Sequence, residues 1–295
     1  MDKQNKSNGP ISLKMITDNQ TNFLYLADTL PKNYPDFYKR FKNVLSECNI
    51  EFALLPNTKD VWAVDYMPIQ TRLDNFVRFL YRPSYMTKYK KYAGLISDVD
   101  SICSDIGIET IKTDIILDGG NVTGCRNKVI LTDRVFVDNP QYERKRLIDE
   151  LHEILQVEKL YLIPEQPGDF TGHSDGMVRF LDENTVLIND YNKEKVWFQR
   201  AFEIAILNTG LDYIKIPYNV YDNKSSDEAN GDYINYLRME NEIIVPTFGI
   251  KEDDEVVRKF EAIFAGQAVK TVESNAIAKD GGVLNCITWN IKTNK

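Results

Sequence analysis

Histidine occurs only twice in the 295 residues, at His152 and His173, and cysteine only four times, at Cys48, Cys103, Cys125 and Cys286. An imidazole acid or base therefore has two candidates. The cysteines have neither the CxxC spacing of a zinc site nor the density of a disulfide scaffold, which excludes structural zinc and a disulfide framework. No apolar run approaches the roughly 18 residues of a membrane span, and the opening MDKQNKSNGP is polar. The sequence thus predicts neither anchor nor signal peptide, and the cytoplasm as its compartment. Positive charge is also short: 36 Lys and Arg stand against 44 Asp and Glu, a net charge of -8. Duplex nucleic acid and anionic membrane need basic surfaces, so neither is an expected partner. Its Gly-Gly pairs form neither GxGxxG nor GxxxxGK, which leaves no dinucleotide or phosphate fingerprint.

What is present is a globular balance, 43% hydrophobic and 27% charged, with a repeat in its periodicity. Apolar residues recur at i, i+4, i+7 and i+8, the face of a core-packing helix, five times. The stripes are Phe37, Phe41, Val44, Leu45; Leu95, Val99, Ile102, Cys103; Leu147, Leu151, Ile154, Leu155; Phe198, Phe202, Ala205, Ile206; and Val256, Phe260, Ile263, Phe264. A strand-like run precedes each, beginning at Phe23, Phe76, Val129, Val186 and Ile243, at intervals of 53, 53, 57 and 57 residues. A second strand candidate follows each helix: EFALLP, IETIKT, LYLIP, DYIKIP and AVKTV. The pattern fills the chain without a linker and predicts an α/β protein, one closed fivefold array over residues 1–295, with about 1–15 disordered. Segments after each second strand then converge on a shared centre.

Those segments carry Trp62 and Asp65; Asp118, Gly119, Gly120 and Asn121; His173 and Asp175; the run DEANGDYINYL; and Asn285 with Cys286. Read singly, each has a bland explanation. Cys286 sits in the apolar VLNCITW, where cysteine usually packs as a small hydrophobe, and Asp65, Asp118 and Asp175 suit caps or turns. His152, on a helix beside its apolar stripe, reads as solvated surface, and Cys125 as potentially exposed. Asp98, Asp100 and Asp105 read as a solvated helix face, since no compact oxygen-ligand loop surrounds them.

Together, WAVDYMPI, LDGGN, TGHSDGMVRF, GDYINYLRMENEIIVPTFG and GGVLNCITWNI, in that order, resemble the agmatine deiminase and bacterial peptidylarginine deiminase family of guanidine-modifying enzymes. The resemblance runs from about Trp62 to the C-terminus. It implies a fivefold pseudosymmetric α/β propeller of ββαβ-type units. By matching motif it makes Cys286 the nucleophile and His173 the general acid and base, with Asp175 and Asp65 gripping the substrate guanidinium. Asp118 matches an acidic position near the site, and Trp62, Gly119 and Asn121 join the substrate-binding set. No metal or cofactor is implied; the expected partner is a small cationic guanidine, with self-association left open. The family's usual W-x-R-D-x-G-P reads Trp62, Ala63, Val64, Asp65, Tyr66, Met67, Pro68 here, and its usual His before the cysteine is Asn285.

The chemistry explains the residue types. A guanidinium carbon is a poor electrophile in a delocalised cation, and paired carboxylates hold such a planar fork in one geometry. A thiolate can then attack while imidazole handles the protons. Aspartates around the cysteine disfavour the thiolate until a cationic substrate arrives. Agmatine is the first expected substrate. The alternatives are a peptidylarginine or free-arginine deiminase, an amidinotransferase, and a guanidine-binding pseudoenzyme.

Overall fold

The computed structural model describes residues 15–87 and 94–294. The expectation of disorder at the N-terminus falls mostly on residues outside that description. Met15, its last position, is instead buried and bridges Arg126.

Every strand and helix predicted from periodicity is present, and each sheet has one strand more than the strand-helix-strand unit read from the sequence. The first sheet holds β1 (Phe23–Ala27) and β2 (Phe52–Leu55), which run parallel across helix α1 (Pro35–Glu47). The second holds β3 (Ile69–Arg72), β4 (Asn75–Leu80) and β5 (Thr110–Ile116), with α2 (Val99–Asp105) between the last two. The third holds β6 (Thr123–Cys125), β7 (Lys128–Thr132) and β8 (Lys159–Ile163), with α3 (Arg144–Leu155). β9 (Val178–Phe180), β10 (Thr185–Asn189) and β11 (Asp212–Ile216) build the fourth, with α4 (Val196–Thr209). The fifth contains β12 (Leu237–Arg238), β13 (Glu242–Thr247) and β14 (Ala268–Glu273), with α5 (Asp253–Ile263). In each, the added strand pairs antiparallel with the central one. For the first sheet that strand is β15 (Thr288–Ile291), which lies against β1 from the far end of the chain. This arrangement of mixed three-stranded sheets is α/β, and β15 on β1 brings the two ends of the repeat together.

The stripes are buried as their spacing requires: Phe37, Phe41 and Leu45 on α1, Leu147, Leu151 and Leu155 on α3, and Phe198, Phe202 and Ile206 on α4. The second stripe departs from expectation. α2 begins at Val99, where the Asp98 side chain caps the Ser101 N–H at 3.1 Å, so Leu95 lies outside the helix and is exposed. Of the three aspartates read as a solvated face, Asp98 and Asp105 are exposed and Asp100 is half-buried and paired. Asp100 pairs with Arg78 at 2.9 Å and Lys112 at 2.8 Å, hydrogen bonds that hold its carboxyl down at about 2. His152 is half-buried rather than solvated, its Nδ1 3.0 Å from the Val157 carbonyl. Cys125 is buried, and burial pushes its thiol up to about 11.

Candidate active site

The segments after β2, β8, β11 and β14 wall one cavity of about 650 Å³. The first contributes a helical turn, Ala63–Tyr66, that packs on a 3₁₀ turn, Gly119–Asn121, just after β5. Glycine is required at both contacts. A Cβ on Gly119 would lie 2.0 Å from the Val64 carbonyl oxygen; one on Gly120 would lie 2.5 Å from Asp65 Oδ1 and 2.6 Å from His173 Nδ1. Gly120 also ties two aspartate turns together. Its N–H donates to Asp65 Oδ1 at 3.2 Å, and its carbonyl accepts the Asp175 N–H at 3.0 Å.

His173 is buried between two carboxylates, with Nε2 2.9 Å from Asp118 Oδ2 and Nδ1 3.4 Å from Asp65 Oδ1. The Tyr85 hydroxyl donates to the same Asp118 oxygen at 2.9 Å. Burial alone would lower the imidazole, but the charges of Asp65, Asp118 and Asp175 outweigh it and push His173 up to about 10. It is therefore an imidazolium at neutral pH, with both ring N–H groups engaged.

Cys286 is half-buried in the cavity wall, in a turn that Asn235 organises. The Asn235 carbonyl accepts the Leu284 and Asn285 N–H groups, each at 3.1 Å, and its side-chain Oδ1 accepts the Cys286 N–H at 3.2 Å. Asn235 Nδ2 then donates to Cys286 Sγ at 3.1 Å and to Asp175 Oδ2 at 3.3 Å. Asn285 Nδ2 donates to that same oxygen at 2.6 Å, and Sγ lies 3.7 Å from it. Burial first, then Asp175 and Asp65, hold the thiol well above its ordinary range. Burial likewise raises Asp65 and Asp175, with His173 opposing it in both. The resting site thus pairs a protonated thiol with an imidazolium and an excess of desolvated carboxylates. A cation entering it relieves that excess.

Of the residues singled out in the sequence, Trp62, Asp65, His173, Asp175 and Cys286 line the cavity together. Asp118 stands one layer behind, holding His173. Gly119 and Asn121 do not line it: Gly119 packs on Val64, and Asn121 Oδ1 accepts the Thr132 N–H at 2.8 Å and its hydroxyl at 3.0 Å. Val64 and Met67 line a smaller cavity on the other side of Asp175. Sequence reasoning missed Asn235, Tyr85, Asp60 and Asp232. Asp232 and Asn235 are the polar positions in the run DYINYL, whose other residues are buried apolar or aromatic. Asp60 lies in the cavity wall, and burial pushes its carboxyl up to about 7. Among the described residues the charged part of the rest of the lining is acidic, including Asp169, Glu194, Asp227, Glu228 and Asp280, with a single lysine, Lys224, and the remainder is aromatic, aliphatic or neutral polar.

A family model, Porphyromonas-type peptidyl-arginine deiminase, matches residues 14–291. A Mycoplasma mycoides protein named as a candidate agmatine deiminase is 25% identical over 228 residues, 66% of this chain and 62% of that one. The chain thus spans about three-fifths of the length of the curated relatives it matches. Among solved structures, Campylobacter jejuni agmatine deiminase superposes with a TM-score of 0.78 at 20% identity, covering 95% of this chain and 96% of that one. Enterococcus faecalis agmatine deiminase gives 0.74 at 16% identity, covering 96% and 97%. An amidinotransferase from Microseira wollei gives 0.60 at 11%, covering 96% and 98%. These likenesses show a shared fold.

Proposed function

Because this chain belongs to the Porphyromonas-type peptidyl-arginine deiminase family, we propose that it is a cysteine-dependent hydrolase of a small guanidine, agmatine first, releasing ammonia and a ureido product. The observation that carries this reading is the convergence of Cys286, His173, Asp65 and Asp175 on one acidic cavity. Asp65 and Asp175 hold the guanidinium through its N–H groups, and its positive charge favours the ionised form of Cys286, whose thiol proton is released to solvent because His173 already carries its own. The thiolate attacks the guanidinium carbon, and the His173 imidazolium gives its proton to the departing nitrogen, which leaves as ammonia. The amidino carbon remains on sulfur as a thioether cation. Neutral His173 then takes a proton from water, whose oxygen attacks that carbon, and the C–S bond breaks to give the ureido product and free Cys286.

The same reading takes the five sheets as one closed fivefold ring of ββαβ units, a single domain; β15 on β1 supports closure. Agmatine over a carboxylate-bearing amino acid is supported by the acidic lining, which favours a second cation over an anion. Val64 and Met67 lie off the lining of the main cavity, and Asn285 binds Asp175 directly, so none of these departures removes a group from the clamp. That favours an enzyme over a binding-only pseudoenzyme. The amidinotransferase reading shares every residue and differs only in the acceptor; ammonia release without added amine decides between them.

Two further outcomes test the geometry. Gly120→Ala drives a methyl into Asp65 and His173, and kcat/KM for agmatine should fall about 100-fold while far-UV circular dichroism stays native; unchanged kcat/KM would show that their spacing is not critical. Asn235→Ala should lower kcat by about 10- to 100-fold with a smaller change in KM, because it frees the sulfur more than the clamp. An effect confined to KM would contradict that role.

A further inference from the structure

Four of the five unit helices present polar outer faces, and α4 does not. Exposed positions on α1, α3 and α5 are mostly charged or amide residues, such as Lys39, Lys42, Arg146, Asp149, Asp254 and Arg258. On α4, Val196, Trp197, Ile204 and Leu207 are each more than half exposed, while Phe198, Phe202 and Ile206 fill the core on its other side. A helix apolar on both faces is made to be covered on both.

The exposed stripe is centred on a charge. Val196, Trp197, Glu203, Ile204 and Leu207 lie at i−4, i−3, i+3, i+4 and i+7 from Arg200, and therefore share its face. Arg200 and Glu203 are both exposed, and among the described residues neither is engaged by an ion pair or a side-chain hydrogen bond.

We propose that a second copy of this chain covers this face, α4 packing antiparallel on α4 about a two-fold axis that passes between residues 201 and 202. The charge pattern selects this occupant. Such an axis sets Arg200 against Glu203 of the second copy and Glu203 against its Arg200, while Val196 meets Leu207 at both ends. Trp197 falls beside Ile204 and Leu207 of the other helix. A two-fold interface must be complementary to itself, and this face is: opposite charges sit at equal distances on either side of its midpoint, flanked by apolar side chains. Over a helix of 14 residues, roughly 20 Å long, the contact is at the small end of specific interfaces, and the dimer should dissociate in the micromolar range.

Sedimentation velocity of the whole chain, from about 1 to 100 μM, tests the proposal. A concentration-dependent monomer-dimer equilibrium is expected. Ile204→Glu and Arg200→Glu should each weaken it at least about tenfold, and Trp197→Lys should do the same. The exchange Arg200→Glu with Glu203→Arg should restore it to within about threefold of the parent, because only an antiparallel two-fold pairing puts each of these residues opposite the other. Since the double variant contains Arg200→Glu, its recovery also shows that this single variant lost an interface and not its fold, and a native far-UV circular dichroism spectrum shows the same for Ile204→Glu and Trp197→Lys. A monomer throughout the range, a dimer indifferent to Ile204→Glu and Trp197→Lys, or a charge exchange that does not recover association would overturn it.

Discussion

Replacing Cys286 by serine should lower ammonia release by at least about 1,000-fold while agmatine affinity changes by less than about threefold. The hydroxyl matches the thiol closely enough in size to keep the Asn235 hydrogen bonds, and the Asp65 and Asp175 clamp is untouched. What is lost is the nucleophile: a serine hydroxyl beside these carboxylates is far harder to ionise than the thiol, even with a bound cation. Calorimetric titration against steady-state turnover separates the two quantities. Full turnover in the serine variant, or a substrate adduct trapped on Cys125, would remove the assigned mechanism. His173→Ala should match the loss of turnover and also destabilise the fold, since it leaves Asp65 and Asp118 buried without their cation. The pH dependence of stability carries the same signature. A folded His173 raised to about 10, against an unfolded value near 6.5, contributes stability that is complete below about pH 6.5 and is lost as pH rises through about 10. The alanine variant should lack that loss.

Asp65→Asn and Asp175→Asn should each weaken agmatine binding by about 30- to 1,000-fold, the range for removing one member of a buried, hydrogen-bonded charge pair. Affinity falls here for a reason that also acts on the free protein. Burial holds both carboxyls above their ordinary range, so at neutral pH their ionised forms are strained in the folded chain and relaxed in the unfolded one. Their contribution to stability is greatest at low pH and falls as pH rises through their raised folded values, the opposite of a paired surface aspartate. Agmatine should therefore raise the melting temperature of the parent more at pH 8 than at pH 5, and much less for either asparagine variant. Normal binding by both variants would show that the guanidinium is held elsewhere.

The fold was legible because its signal is repeated. A helical stripe bounded by two strands is a weak pattern alone, but five at near-even spacing also set the order of the central and parallel strands. The antiparallel partners were not legible. β9 and β12 are only three and two residues long, too short for any alternation to register, and their pairing comes from the sheet they join. Leu95 fitted its stripe by spacing, yet α2 starts after it, because Asp98 caps the chain four residues before the stripe's next turn closes. At the site, the scarcity of histidine left His173 with one competitor, whereas Cys286, one of four cysteines and set in an apolar run, was singled out only by the resemblance of its motif. Asn235 was not. Its role depends on one amide reaching sulfur, carboxylate and backbone at once, and an asparagine inside a tyrosine-rich run carries no such signal. Gly119 and Asn121 were read as substrate contacts from their motif, whereas packing places them behind the wall, Gly119 against Val64 and Asn121 on Thr132 and, through its N–H, on the Asp118 carbonyl.

The central claim is hydrolysis of a small guanidine, and steady-state ammonia release with no amine acceptor present tests it most directly, comparing agmatine, free arginine and an arginine-containing peptide. Agmatine is expected to show the highest kcat/KM, with stoichiometric ammonia and ureido product. A higher kcat/KM for the peptide, or no ammonia from agmatine while another guanidine releases it, would contradict the account.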